Sequence, residues 1–327
     1  MKIYMKRLTF FGILLLSFAG MLAAQTVQPL TVYAIKGPSG VGMIRLFENP
    51  PLVGGVAVKM EALAQADLMA ARFISGEAKV GILPPNVAAK IASAGKPVQI
   101  AAVTGTGMLS LLTSDSSVRS IPDLRGKSVE VAGQGATPDY VFRRILLSKG
   151  LNPDRDLQLG YALAYPEIAQ SLIAGRISTA LLPEPFATMA RNGKPELRLV
   201  SDIQAEWLNA VGSAALPRAA NYPMTVLVVD AAYARAESGN VRVILDALKA
   251  SIEWVAANPR EAGTLVEKHG LGLPAPVVAA AVPRSNYVFI PAKEARSSLE
   301  ALYRTFLEFS PASIGGRLPS DSFYLEF

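Results

Sequence analysis

Five short runs join hydroxyl, amide or carboxylate side chains to glycine or proline where a β-rich stretch gives way to a helical pattern. They are Gly37-Pro38-Ser39-Gly40, Pro84-Pro85-Asn86, Gly135-Ala136-Thr137-Pro138, Tyr165-Pro166 and Glu184-Pro185. The first turn of a helix exposes unpaired N–H groups and a partial positive charge, a fit for an anion or a carbonyl oxygen. Glycine lets a ligand approach the backbone, and Ser39 and Thr137 add hydroxyls there. The same residues are also ordinary caps: Ser39 before Gly40, Thr137 before Pro138. Thr104-Gly105-Thr106 places two hydroxyls beside a glycine, to line a cleft or to make a turn. Asn86 offers a donor and an acceptor. Glu184 suits an amine or a protonated heterocycle, or is simply a carboxylate favoured by a helix start. Tyr33, Tyr140, Tyr165, Phe186 and Trp207 can stack on a flat ligand or pack in a core; Tyr165 and Phe186 sit at corners.

Much chemistry is excluded. The chain has no Cys and a single His, so thiolate nucleophiles, disulfides and Cys/His metal sites are absent, and no metal or cofactor is expected. A Ser-His-Asp triad would need His269, which closes a helical run before Gly270 and reads as a C-terminal histidine favoured by the dipole. The run GQGATP has two glycines of a dinucleotide fingerprint, but Pro138 replaces the third. Gly37-Pro38-Ser39-Gly40-Val41 lacks the last glycine of a nucleophile elbow. Ala94-Gly95-Lys96-Pro97 is not a phosphate loop, because Lys90 stands where its first glycine belongs.

The elements that must position these corners alternate along the chain. Leu30–Ile35, 56–60, 80–83 and 98–104 read as strands, with helices near 43–47, 67–75 and 87–93 between them, and 108–113 follows. This rhythm predicts a parallel, doubly wound α/β sheet. A second cycle runs through strands at 128–132, 157–163 and 178–182 and helices near 139–148 and from 165 to 173, closing at 197–200. Met224–Val229 reads as a strand returning to the first lobe. Val241, Ile244, Leu245, Leu248, Ile252 and Val255 then mark a helix by their spacing. Asn258-Pro259 with Glu261 reads as its successor's N-cap, N1 and N3, and 292–309 as a last helix. Two lobes, 25–114 plus 222–327 and 115–221, would thus be joined by a two-segment hinge near 113–117 and 219–224. The ligands of such sheets lie beyond the carboxyl ends of the strands, here in one cleft.

Hydrophobic residues make up 51% of the 327 and charged residues 18%, enough for a large core. The net charge of +6, half of it from Lys2, Lys6 and Arg7, gives no reason to expect nucleic acid. Residues 1–24 read as a secretory signal, three cations followed by an apolar run to about Leu22 and small residues to Ala24; an uncleaved anchor is the alternative.

The stretch IPDLRGKSVEVAGQGATPDYVFRRILLSKGLNPDRDLQL, followed by AQSLIAGRISTALLPEPFATMA, ASIEWVAANPREAGTLVEKHG and GGRLPSDSFYLEF, resembles the nitrate/sulfonate/taurine-type substrate-binding proteins of ABC importers, a group that includes binders of a thiamine pyrimidine precursor. The resemblance implies a bilobed, type II periplasmic-binding-protein fold, monomeric, that closes on a small solute and docks on an ABC permease with its ATPase. It implies a periplasmic location without a lipid-bearing cysteine. Carried over by position, the cleft residues are Ser39, Gly40, Val41, Asn86, Thr104, Thr106, Gly135, Ala136, Thr137 and Glu184, with Tyr165 added from its corner. The solutes so implied are a small sulfonate or related oxyanion, then a neutral or cationic heterocycle. Relatives that make the thiamine pyrimidine or act in menaquinone synthesis are the enzyme alternative, the former needing a histidine in the cleft; a solute-sensing adaptor is a third.

Overall fold

A computed structural model describes residues 28–131, 133–212 and 221–326. The signal-like stretch 1–24 lies outside them. The strands are β1 (Thr31–Ile35), β2 (Leu52–Val53), β3 (Val56–Ala57), β4 (Lys59–Leu63), β5 (Val80–Leu83), β6 (Val98–Thr106), β7 (Leu109–Thr113), β8 (Ser128–Val131), β9 (Gln158–Gly160), β10 (Thr179–Pro183), β11 (Arg198–Leu199), β12 (Pro223–Asp230) and β13 (Tyr287–Pro291). The helices are α1 (Pro38–Val41), α2 (Ile44–Glu48), α3 (Ala66–Ser75), α4 (Pro85–Ser93), α5 (Thr137–Ser148), α6 (Tyr165–Ile173), α7 (Phe186–Gly193), α8 (Ile203–Ala210), α9 (Ala231–Ala236), α10 (Ser238–Ala257), α11 (Pro259–Lys268), α12 (Ala275–Ala281) and α13 (Arg296–Phe309).

Two sheets organise the chain, in the orders β13-β6-β12-β5-β1-β4 and β11-β7-β10-β8-β9. In the first sheet β1 is parallel to β4 and β5, as the βαβ rhythm predicts, while β12 is antiparallel to both β5 and β6 and β13 to β6. In the second, β8, β9 and β10 are parallel and β7 is antiparallel to β10. Both sheets are therefore mixed rather than parallel. The reason is topological: a strand that returns from the other sheet without a crossover helix enters in the opposite sense.

The fully buried run Val80-Gly81-Ile82-Leu83 sits inside the first sheet, covered on both faces as continuous apolar strands are. All six apolar residues that marked the 241–255 helix are buried in α10. Helices α6 and α7 pack on β10 and on each other, while α8 packs against both α5 and β7. Two further contacts join the halves: α12 touches α7, and α13 touches α5, where Tyr140 meets Phe306 edge-on at 5.0 Å and Phe309 face-on at 5.6 Å between ring centroids.

Several expectations need correction. The hinge does not begin near 113–117: β6 ends at Thr106 in the first sheet and β7 begins at Leu109 in the second, so the chain crosses at Gly107-Met108. The gap between the 98–104 and 108–113 stretches was legible, but the change of sheet across it was not, because both strands are buried and only their pairing assigns them to different sheets. The 56–60 strand resolves into a hairpin arm, β3, and the parallel strand β4. The last helix starts at Arg296, not 292, and β13 was not anticipated. Asn258 holds the N-cap position of α11, but its side chain donates instead to the Trp254 carbonyl at 2.9 Å, closing α10.

Candidate functional site

Strand direction brings the corners together. The register Ile35↔Leu63, Leu83↔Val226 and Val226↔Val103 aligns the carboxyl ends of β1, β4, β5 and β6 at the end of the first sheet that meets the crossing. In the second sheet Pro183 at the end of β10 pairs with Leu109 at the start of β7, so the carboxyl ends of β8, β9 and β10 also face the crossing. All five corners do open helices there.

The corner residues are not the caps that their sequence suggested. Ser39 lies inside α1, capped by Gly37, and its Oγ accepts a hydrogen bond from Thr225 Oγ1 at 3.3 Å. Asn86 lies two steps past its cap, Pro84, and Thr137 one step past Ala136, and neither makes a side-chain cap bond. Three candidate polar atoms, Asn86 Oδ1, Thr104 Oγ1 and Thr137 Oγ1, are buried without a hydrogen-bond partner. A buried polar group left unpaired costs about 1–3 kcal/mol, which makes these three atoms candidates for contact with a bound molecule. The stretch from Thr104 to Thr106 makes no turn; it is the end of β6, with both hydroxyl-bearing residues buried.

Other candidates are engaged. Val41 is buried in an apolar cluster with Ile44 and Phe186. A Cβ on Gly40 would lie 2.5 Å from the Ile35 carbonyl oxygen and 2.8 Å from Leu271 Cδ2, so this glycine is required for packing. The Gly135 amide donates to Asp139 Oδ2 at 2.8 Å, and Ala136 is the N-cap of α5. Asp139 is buried and anchors the whole corner: its Oδ1 accepts from Arg143 Nε at 2.7 Å and from the Tyr161 hydroxyl at 2.6 Å. Burial, and then this carboxylate, push the Tyr161 hydroxyl up, so it remains a donor. Tyr165 stacks on Phe186 with centroids 5.6 Å apart, and burial raises its hydroxyl to about 12. Trp207 meets Tyr222 edge-on in the core, and Tyr33 packs under Arg72.

Beside the crossing lies a cavity of about 850 Å³, within the range of small-molecule sites. Thr106, Arg284, Asn286 and Val288 line it from the side of the first sheet, and Ser110, Glu184, Arg191 and Gln204 from the side of the second. Of the residues carried over from the corners, Thr106 and Glu184 reach it. Arg191, Gln204, Asn221, Arg284 and Asn286 were missed. Their only sequence signal was polarity at the ends of short elements, which solvated surfaces share.

Glu184 is 3% exposed, and its Oε2 accepts the Thr188 amide at 2.9 Å, so the helix-start role and the cavity-lining role coexist. Burial raises its pKa; the Thr188 hydrogen bonds, then Arg284 and Arg191, oppose this. A carboxyl whose folded pKa lies above its unfolded value contributes stability that is present below the unfolded pKa and is lost as pH rises through the folded one. Glu184→Gln should therefore unfold at higher temperature than the wild type at pH 7 and lose that advantage by pH 4, in parallel melts of both proteins. An advantage that persists unchanged at pH 4 would contradict the burial account.

His269 is elsewhere. Its Nε2 lies 3.0 Å from Glu48 Oε2, beside Phe47 and the Lys268–Glu48 pair, and it does not line the cavity. Among the described residues no helix is long and apolar enough to cross a membrane, and no group of three or more metal-ligating side chains is present.

The fold is the bilobed, type II periplasmic-binding-protein fold of similar solved structures. Residues 54–262 match the family described as NMT1/THI5 like. An ABC transporter structure from Parabacteroides distasonis is similar at 26% identity and a TM-score of 0.75, over 91% of this chain and 99% of that one. The periplasmic aliphatic sulphonate binding protein of Escherichia coli is similar in fold at 16% identity and a TM-score of 0.67, over 91% and 96%. The periplasmic nitrate-binding protein of Synechocystis PCC 6803 follows at 12% and 0.61, over 88% and 84%. No curated protein matches the chain.

Proposed function

Because the chain belongs to the NMT1/THI5-like family, we propose that it is the extracytoplasmic solute-binding subunit of an ABC importer, delivering a small nutrient to a membrane permease and its ATPase. One observation carries the reading: a cavity large enough for a small molecule is walled by side chains from both sheets, beside the crossing at Gly107-Met108. A solute held by both walls favours the arrangement in which they approach, by its differential affinity for that state. Thr106 and Glu184 line the cavity and supply contacts in this proposal; Ser39, Asn86, Thr104 and Thr137 do not line it, and their polar atoms join the solute in the arrangement in which the walls approach. Gly40, Val41, Gly135, Ala136 and Tyr165 shape the corners around them.

Arg191 and Arg284 both line the cavity. Guanidinium groups recognise oxyanions through paired N–H donors, which favours a small sulfonate or related oxyanion. A heterocycle on the Glu184 carboxyl is the second class. The sulphonate- and nitrate-binding names of two structural neighbours lend support to the first. A catalytic role of the histidine-dependent kind finds no support in a His269 paired with Glu48 at the surface of α2.

The test is thermal unfolding with methanesulfonate, nitrate and an aminopyrimidine. A ligand at a hundred times its Kd adds about 2.7 kcal/mol, an easily read rise in Tm. Thr137→Ala should unfold near the wild-type temperature without ligand, yet bind the responding class several-fold more weakly by calorimetry. Wild-type affinity in that variant removes Thr137 from the site, and no rise with any class in the wild type contradicts the proposed ligands.

A further inference from the structure

Gly107 carries the hydrogen bonds of the crossing. Its amide donates to the Tyr222 carbonyl in the second connection at 3.0 Å. Its own carbonyl oxygen accepts two side-chain amides, Gln204 Nε2 at 2.5 Å and Asn286 Nδ2 at 2.5 Å. Gln204 stands in the first turn of α8, a helix of the second half, and Asn286 precedes β13 of the first sheet. One carbonyl is thus gripped from both sides of the hinge. Both amide-bearing residues also line the cavity. The grip is supported on each side: Asn286 holds φ at 44° while its carbonyl accepts the Thr106 amide at 3.2 Å, and the Gln204 carbonyl accepts Asn221 Nδ2 at 3.3 Å.

We infer that Gln204 and Asn286 are positioning residues that tie the content of the cavity to the angle between the two sheets; this deepens the solute-binding reading and rests on it. A primary amide has two ends, an NH2 that donates and a carbonyl that accepts. With the NH2 fixed on Gly107, each side chain keeps an acceptor for whatever fills the cavity that both residues line. Gln204 and Asn286 move with opposite sheets, so a change of angle separates them, and the Gly107 oxygen cannot then hold both. The doubly gripped carbonyl therefore belongs to one angle only, and a solute that engages or displaces either amide shifts the balance between angles.

The chain contains no native Cys, so a spin-label pair at Lys59→Cys and Arg155→Cys, whose native side chains are 62% and 76% exposed, reports the separation of the halves alone. Gln204→Met keeps the length and removes the amide. Asn286→Gly removes the amide and permits the positive φ. In ligand-free full-length protein each variant should change the ratio of the label-distance populations about fivefold, the weight of one hydrogen bond. If one variant fails to fold, the other decides. Folded variants with the wild-type distance distribution overturn the inference. Methanesulfonate and nitrate are then added: where the wild type binds one by calorimetry and its distances shift, the variants should bind with a smaller shift, and an equal shift also overturns the inference. A wild type that binds neither probe counts against the oxyanion reading, while the ligand-free comparison still decides the role of the two amides.

Discussion

Asp139→Ala should cost the protein about 3 kcal/mol in denaturant unfolding, the scale of removing one partner from a buried charged pair. The carboxylate is buried and serves three donors at once: the Gly135 amide, Arg143 Nε and the Tyr161 hydroxyl. Without it the Gly135 N–H and the Tyr161 hydroxyl lose their acceptor. Arg143 keeps Asp154, at 2.7 Å, which is largely exposed and offsets only part of the loss. The same bond fixes the backbone of the corner that presents Thr137, so solute affinity should fall with stability. Asp139→Asn retains the shape and one acceptor and should lie between the two. A loss below about 1 kcal/mol for the alanine variant, within the range of exposed pairs, would mean that the network is not what holds this corner.

Gly107→Ala is the second large effect. The residue has φ +39°, and a Cβ there would stand 2.9 Å from Gln204 Cγ and 3.1 Å from Asn221 Cβ. Left-handed backbone costs a non-glycine residue about 1–2 kcal/mol, and crowding in a packed junction adds to it. The expected loss in denaturant unfolding is about 2–3 kcal/mol. The change also pushes Gln204 and Asn221, both in the cavity wall, so binding should weaken even where the variant remains folded. A fully stable Gly107→Ala protein with unchanged affinity would show that the crossing has more freedom than its contacts imply.

What the sequence revealed follows from periodicity. Val80–Leu83, the α10 apolar stripe and the five strand-to-helix corners were legible because burial and helix starts impose local patterns. The gap after Thr106 was legible too, but the change of sheet across Gly107 was not, since β6 and β7 are both apolar and only their pairing assigns them to different sheets. Strand β13 escaped for a related reason: Tyr287–Pro291 is half-buried at a sheet edge, without the alternation of a one-faced strand. At the site, residue type was informative and role was not. Thr137 and Asn86 looked like caps, but the neighbouring Ala136 and Pro84 hold those positions. Glu184 was visible as a cleft carboxylate, while Asn286 and Gln204 owe their importance to a carbonyl far away in sequence.

The central claim is that a small molecule is held between the two sheets. Native mass spectrometry of protein purified without denaturation, and then of the same sample after unfolding, tests it most directly. The account predicts one non-covalently bound small molecule per chain, present in the folded ions and absent from the unfolded ones, or its uptake when candidate solutes are supplied. Bare protein in every preparation, with no uptake from sulfonates, nitrate or aminopyrimidines, would contradict it.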